Sequence, residues 1–108
     1  MAQIIWTEPA LSDLEAIADY IALENPTAAA NLVKQVFAHI TLLASHPELG
    51  PRIPELRPGF PYRQIVEPPC RIFYRYDRVD EIVFVLGVMR SERRFRKRLL
   101  QRSDKPAR

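Results

Sequence analysis

Two groups of arginines are the residues of this sequence whose type and spacing carry chemistry. Arg71 and Arg75 stand in an alternating segment with Phe73 between them, so a strand there projects all three from one face. Arg90, Arg93, Arg94 and Arg96 follow an apolar run and surround Phe95. A guanidinium stays charged near neutral pH and holds phosphate or carboxylate through two parallel bonds, while a neighbouring ring can stack on a base. The chemistry in view is anion recognition. Two quieter roles compete with it: these arginines can solvate an exposed sheet face, or pair with Glu55, Glu67 and Glu92. From Arg90 to Arg98 the like charges are dense enough to repel one another unless a partner neutralises them.

Other chemistry lacks its residues. There is no GxGxxG or GxxxxGK[ST] phosphate loop and no GxSxG nucleophile turn. Cys70 falls mid-strand on the face assigned to the core, where a lone cysteine is an inert packing residue. Asp13, Glu15 and Asp19 fall on the polar face of a helix and read as solvated charges. His39 and His46 with a single cysteine give no zinc-like spacing, so no metal and no cofactor are expected. His46 precedes Pro47 at a helix end, where a donor can satisfy terminal carbonyls.

The 108 residues suit one domain, with a core over about 3–89 and a basic segment over 90–108. A hydrophobic content of 47% with 27% charged residues is that of a soluble globular chain. No apolar run reaches the roughly 18 residues of a membrane span, and MAQIIWTEPAL does not resemble a signal peptide. One cysteine precludes an internal disulfide, which fits a reducing compartment, so the cytoplasm is expected. The net charge of +3 hides a split: residues 1–50 carry −5 and residues 51–108 carry +8. The basic half can steer anionic partners, nucleic acid and acidic protein alike.

The elements that must position these groups are legible in the patterning. Gln3–Trp6 is a short apolar strand. Thr7 offers a cap to a helix from Pro9 to about Glu24, with Leu11, Leu14, Ile17 or Ala18, and Ile21 at helical spacing. Asn25-Pro26 ends it and starts a second helix over about 27–45, bearing Leu32, Val36, Phe37, Ile40 and Leu43 on one face. So short a break makes the two helices an antiparallel hairpin. The proline-rich connector His46–Pro61 switches the chain from helices to strands. Strands follow at Tyr62–Val66, Cys70–Tyr76 and Ile82–Val88. In the second of these, Cys70, Ile72, Tyr74 and Tyr76 share one face and Arg71, Phe73 and Arg75 the other. The fold class is α+β: a helical hairpin packed on a small antiparallel sheet, with a basic C-terminal tail.

In this order, a Trp-ending first strand, ALSDLEAIADYIA, LLASHPELG, RIPELRPGF, CRIFYRY and EIVFVLGVMRSERRF resemble the ParE/RelE toxin family of bacterial toxin–antitoxin systems, over about Ile4 to Leu99. The resemblance implies the same α+β fold and a cognate antitoxin, whose acidic, amphipathic C-terminal segment wraps and neutralises the toxin. It also implies one of two targets. RelE-like members cut mRNA on the ribosome with basic sheet residues and, often, a tyrosine near the C-terminus. ParE-like members inhibit DNA gyrase and lack that catalytic set. Here Arg71 falls where RelE-like toxins carry a sheet arginine, and Arg90 or Arg93 near their second one. No tyrosine follows Tyr76, and Phe95, the nearest aromatic residue, cannot exchange a proton.

The HPELG, PELRPG and VLGVMRSERR segments sit closer to the ParE side, although many ParE-like chains have a histidine where this one has Arg90. The expected function is thus a gyrase-inhibiting toxin without catalytic residues of its own. Its target surface would comprise Arg71, Arg75, Arg90, Arg93, Arg94, Phe95 and Arg96. The alternative is a ribosome-dependent mRNA interferase in which Arg71, Arg90 and Arg93 hold phosphate and stabilise developing charge.

Overall fold

The computed structural model describes residues 1–103, so the end of the basic tail expected over 90–108 lies outside the described residues. Strand β1 (Gln3–Trp6) leads into helix α1 (Glu8–Ala22), and Thr7 Oγ1 accepts the Ala10 N–H at 3.4 Å as the N-cap. Asn25 caps helix α2 (Pro26–Thr41) the same way, accepting from Ala28 N at 3.0 Å, with Pro26 in the first turn where no N–H is needed. A 3-10 turn over Leu42–Ala44 finishes α2. Both helices therefore begin at the side-chain caps legible in the sequence. They also pack against each other, as the brief connection requires.

Strands β2 (Tyr62–Glu67), β3 (Cys70–Asp77) and β4 (Ile82–Arg90) form an antiparallel meander. The sheet order is β1-β4-β3-β2, and β1 pairs parallel with β4, so the sheet is mixed rather than wholly antiparallel. A parallel pair needs a long crossover, and everything from Thr7 to Glu81 supplies it here. β1 is short, pairing with β4 from Gln3↔Ile82 to Trp6↔Val85. Beyond Val85, β4 has no strand on that side among the described residues.

The helices cover one sheet face. Leu14, Leu32, Val36, Ile40 and Leu43 pack on Cys70, Ile72, Tyr74, Val83 and Val85, the face assigned to the core from alternation. The opposite face differs from expectation. Phe73, placed between two arginines on an open face, is completely buried with Ile53, Leu86, Met89 and Leu100. The connector and the C-terminal segment fold over that face and make a second core. A register shift between Phe73 and Tyr74 interrupts the β3–β4 ladder, and both of these rings are buried.

The connector is fastened to the sheet through Gly50. Its N–H donates to the Tyr74 hydroxyl at 3.0 Å, and Gln64 N donates to Pro51 O at 2.9 Å. A Cβ at Gly50 would stand 2.2 Å from the Gln64 carbonyl oxygen, a backbone atom that no rotamer change can move. Gly50→Ala is therefore expected to destabilise the protein by roughly 1–3 kcal/mol or more, the usual range for forcing extra atoms into a packed site. Thermal denaturation of the variant checks this. A melting temperature equal to that of the parent would contradict the close approach.

Candidate basic groove at the end of strand β4

Where β4 outruns β1, helix α1 and the C-terminal segment stand on either side of it and leave a groove of about 810 Å³. Ala16, Ile17, Val88, Met89 and Leu99 give it an apolar lining, and Arg90, Arg93, Arg94, Arg96, Arg98 and Arg102 give it charge. Leaving β4, the chain turns as Ser91 N donates to Pro69 O at 2.8 Å and Arg93 N to Arg90 O at 3.0 Å. It then forms a short helix, α3 (Arg98–Gln101), whose Leu100 plugs the second core. Gly87 lets this segment lie close, since a Cβ there would meet Leu99 and Arg102 at 3.0 and 3.1 Å.

Among the described residues, the acid lining the groove is Asp13. Its carboxylate accepts the Val88 N–H at 3.0 Å and is gripped by both terminal nitrogens of Arg102, while Arg102 Nε donates to Leu99 O at 3.0 Å. Ser103 Oγ donates to Leu86 O at 2.9 Å. Asp13 is thus a clasp joining α1, β4 and the C-terminal segment, not the solvated helix charge expected from its position. The sequence signal was faint: Asp13 lies one turn before Ile17, at the margin of the apolar stripe. Its partner Arg102 is remote in sequence.

The arginines divide. Arg93, Arg94 and Arg96 are exposed at the groove, and Arg90 lines it half-buried. Arg90 pairs with Glu92 at 2.7 Å, and its guanidinium lies 4.8 Å from the Tyr20 ring centroid. Its Nε is buried and has no hydrogen-bond partner among the described residues.

Arg71 and Arg75 do not line this groove. Arg71 is held internally, with two bonds to the Glu55 carboxylate at 2.7 and 2.9 Å and two to Gln64 Oε1 at 2.7 and 2.9 Å. Its guanidinium also covers Phe73 and Phe95, and its side chain is only 11% exposed. Pairing with Glu55, one of the roles open in the sequence, is what this arginine does. Arg75 lies over the Phe84 ring at 5.0 Å. Phe95, expected as a target contact, packs edge-on against Phe73 with centroids 5.2 Å apart and belongs to the second core. Glu67 meets His39 Nδ1 at 2.8 Å rather than an arginine.

The hydrogen bonds from Arg71 hold the Glu55 carboxyl below the usual glutamate range, against the opposing effect of partial burial. The unfolded chain therefore takes up this proton first. The stability Glu55 adds is full above the ordinary glutamate pKa and is lost as pH falls through its lower folded value. Glu55 is partly exposed, so the effect is small. The stability difference between the parent and Glu55→Gln is expected to shrink as pH falls from 6 to 3 in denaturant titrations. A difference that stays constant across that range would refute the linkage.

Cys70 is wholly buried in the first core, and that burial pushes its thiol pKa up, with Arg90 opposing. Among the described residues, no cluster of three or more His, Cys, Asp or Glu side chains could hold a metal. No described helix is long and apolar enough to cross a membrane. In chemical terms, the groove offers fixed positive charge over an apolar surface, and the one carboxylate that lines it among the described residues is already engaged.

Comparison with known proteins agrees with this architecture. A family model described as the ParE toxin of the type II toxin–antitoxin system parDE matches residues 4–95. A Caulobacter vibrioides protein named Toxin RelE2 is 34% identical over 93 residues, covering 86% of this chain and 99% of that protein. In the chromosomal ParDE toxin–antitoxin system of P. aeruginosa, one chain superposes with a TM-score of 0.69 at 25% identity, covering 85% of this chain and 98% of that one. A chain of the Mycobacterium tuberculosis RelBE2 toxin–antitoxin complex shares the fold, with a TM-score of 0.57 at 21% identity over 82% of this chain and 96% of that one.

Proposed function

As a chain that belongs to the ParE toxin family of type II toxin–antitoxin systems, this protein, we propose, binds and poisons DNA gyrase without itself catalysing a reaction, and a cognate antitoxin neutralises it. The observation that carries this reading is the make-up of the groove. Among the described residues it presents six arginines and a single acid, Asp13, which is already held by Arg102 and the Val88 N–H. Such a surface can bind an anionic partner strongly but holds no disengaged side chain suited to general acid or base work. Arg90, Arg93, Arg94 and Arg96 are the target contacts in this reading. Arg71 and Phe95 act within the fold, Arg71 by bracing the connector through Glu55, and Arg75 lies away from the groove over Phe84.

A toxin of this kind works in the cytoplasm beside its target, with an acidic antitoxin segment covering the arginines between episodes of activity. The toxin–antitoxin assemblies of P. aeruginosa and M. tuberculosis support the antitoxin partner. The test uses purified toxin and purified gyrase. Loss of supercoiling with accumulation of cleaved DNA is expected, and unchanged activity at every stoichiometry would defeat the proposal.

The Caulobacter relative named RelE2 supports a second reading, ribosome-dependent mRNA cleavage. Arg90 and Arg93 would then hold phosphate, and Tyr20, whose ring Arg90 covers, would supply the exchangeable proton. Cleaved messages on translating ribosomes, lost in Tyr20→Phe, would favour it over gyrase.

A further inference from the structure

Past the end of β4 the chain forms a ridge that carries cations on both sides. Phe95 and Leu100 anchor it from beneath in the second core, and Leu99 lies against Gly87. On one flank Arg93, Arg94, Arg96 and Arg98 line the groove. On the other, Lys97 reaches the connector, its Nζ 4.8 Å from the Phe60 ring centroid, and Arg52 donates to the Phe60 carbonyl at 2.6 Å. All of these cations belong to exposed residues, and among the described residues none of them makes an ion pair. The carboxylates nearby are taken, Glu92 by Arg90, Glu55 by Arg71 and Asp13 by Arg102. A row of like charges held in place without counter-charge repels itself and gains most from a polyanion.

We propose that this ridge seats in a groove of duplex DNA, so that the toxin grips the phosphates of the DNA that gyrase holds; the proposal rests on the gyrase reading above. Each groove of a duplex runs between two phosphate strands, which together carry about one charge per 1.7 Å of axis. Both flanks of the ridge then meet negative charge at once. An acidic peptide lying beside β4 reaches Arg93, Arg94, Arg96 and Arg98 but leaves Lys97 and Arg52 on the other side of the ridge. A single strand gains most by stacking its bases on open rings. Here Phe95 is packed on Phe73, and Phe60 lies under Lys97 and beside Tyr62.

Contacts of this kind go to the DNA backbone, read no base sequence and weaken steeply with salt. The five cations Arg93, Arg94, Arg96, Lys97 and Arg98, each neutralising one phosphate, give a slope of about −4.5 in log affinity against log salt. Raising the salt from about 50 to about 200 mM then weakens binding about 500-fold. Held on the DNA segment that gyrase breaks, the toxin obstructs resealing by occupancy and needs no catalytic group.

The test is equilibrium binding of the full-length toxin, labelled with a fluorophore at the exposed Met1, to three partners: a mixed-sequence duplex, gyrase, and gyrase loaded on that duplex. The duplex is expected to bind with the salt slope above. The gyrase–DNA complex is expected to bind about tenfold or more tighter than gyrase alone. Lys97→Glu, outside the groove beside β4, and Arg94→Glu, within it, are each expected to weaken duplex binding about tenfold with melting temperatures unchanged. No binding to the duplex, equal binding to gyrase with and without DNA, or a loss confined to Arg94→Glu would each overturn DNA seating. Those results would return the arginines to a protein partner and leave the gyrase reading intact. Failure to bind gyrase in either state would instead remove the gyrase reading on which the proposal stands.

Discussion

Changing Arg93, Arg94 and Arg96 together to glutamate is expected to abolish growth arrest on expression without antitoxin, with the fold intact. The three side chains are exposed at the groove, and no ion pair engages them among the described residues. Their charges add to those of Arg90, Arg98 and Arg102 around the same groove. Each reversal replaces an attraction to an anionic partner by a repulsion, roughly tenfold in affinity per contact or about a thousandfold for three. Stability moves little, because exposed substitutions away from buried partners usually lie within about 0.5 kcal/mol each and removing crowded like charges relieves repulsion. The melting temperature should stay within about 5 °C of the parent. A variant equally toxic at equal expression would mean that the groove is not the working surface.

Phe73→Ala should produce the largest loss of stability among the single changes considered. Phe73 has no exposed surface and holds together Ile53 from the connector, Leu86 from β4 and Leu100 from the C-terminal segment. Removing a buried phenyl ring costs about 3–5 kcal/mol, against a total of about 5–15 kcal/mol for a domain. It also takes away the ring that carries Phe95 and lies under the Arg71 guanidinium. A fall on the order of 15 °C in melting temperature is expected. The control is Leu23→Ala, at a side chain 81% exposed, which should change little. An unaltered melting temperature for Phe73→Ala would show that the second core adds nothing to the fold.

The helices and strands were legible because their signals are local. Thr7 and Asn25 mark helix starts through bonds within one turn, and the Val- and Ile-rich run of β4 is a central strand by composition. The parallel pairing of β1 was not legible, since nothing in Gln3–Trp6 records which way its neighbour runs. Alternation along β3 sorted Arg71, Phe73 and Arg75 onto one face correctly but could not say that a proline-rich connector would cover it. A chain segment without helical or strand periodicity gives no sign of where it packs. This is also why the role of Arg71 fell short of the target contact expected and became a brace for Glu55, among the pairings the sequence left open.

The groove was half legible. The density of arginines from Arg90 onward announced a basic surface, while its floor and clasp depend on Asp13 meeting Arg102 across nearly the whole chain. Tertiary contacts of that separation leave no mark in a single sequence.

Expression of the toxin without antitoxin, with DNA integrity and protein synthesis followed in the same cells, tests the central claim most directly. A gyrase poison gives filamentous cells, broken or condensed nucleoids and DNA-damage signalling while translation continues, and the Arg93, Arg94 and Arg96 reversal removes all of these. Immediate arrest of protein synthesis with cut messages and undamaged DNA would contradict the gyrase assignment and move the chemistry to the ribosome.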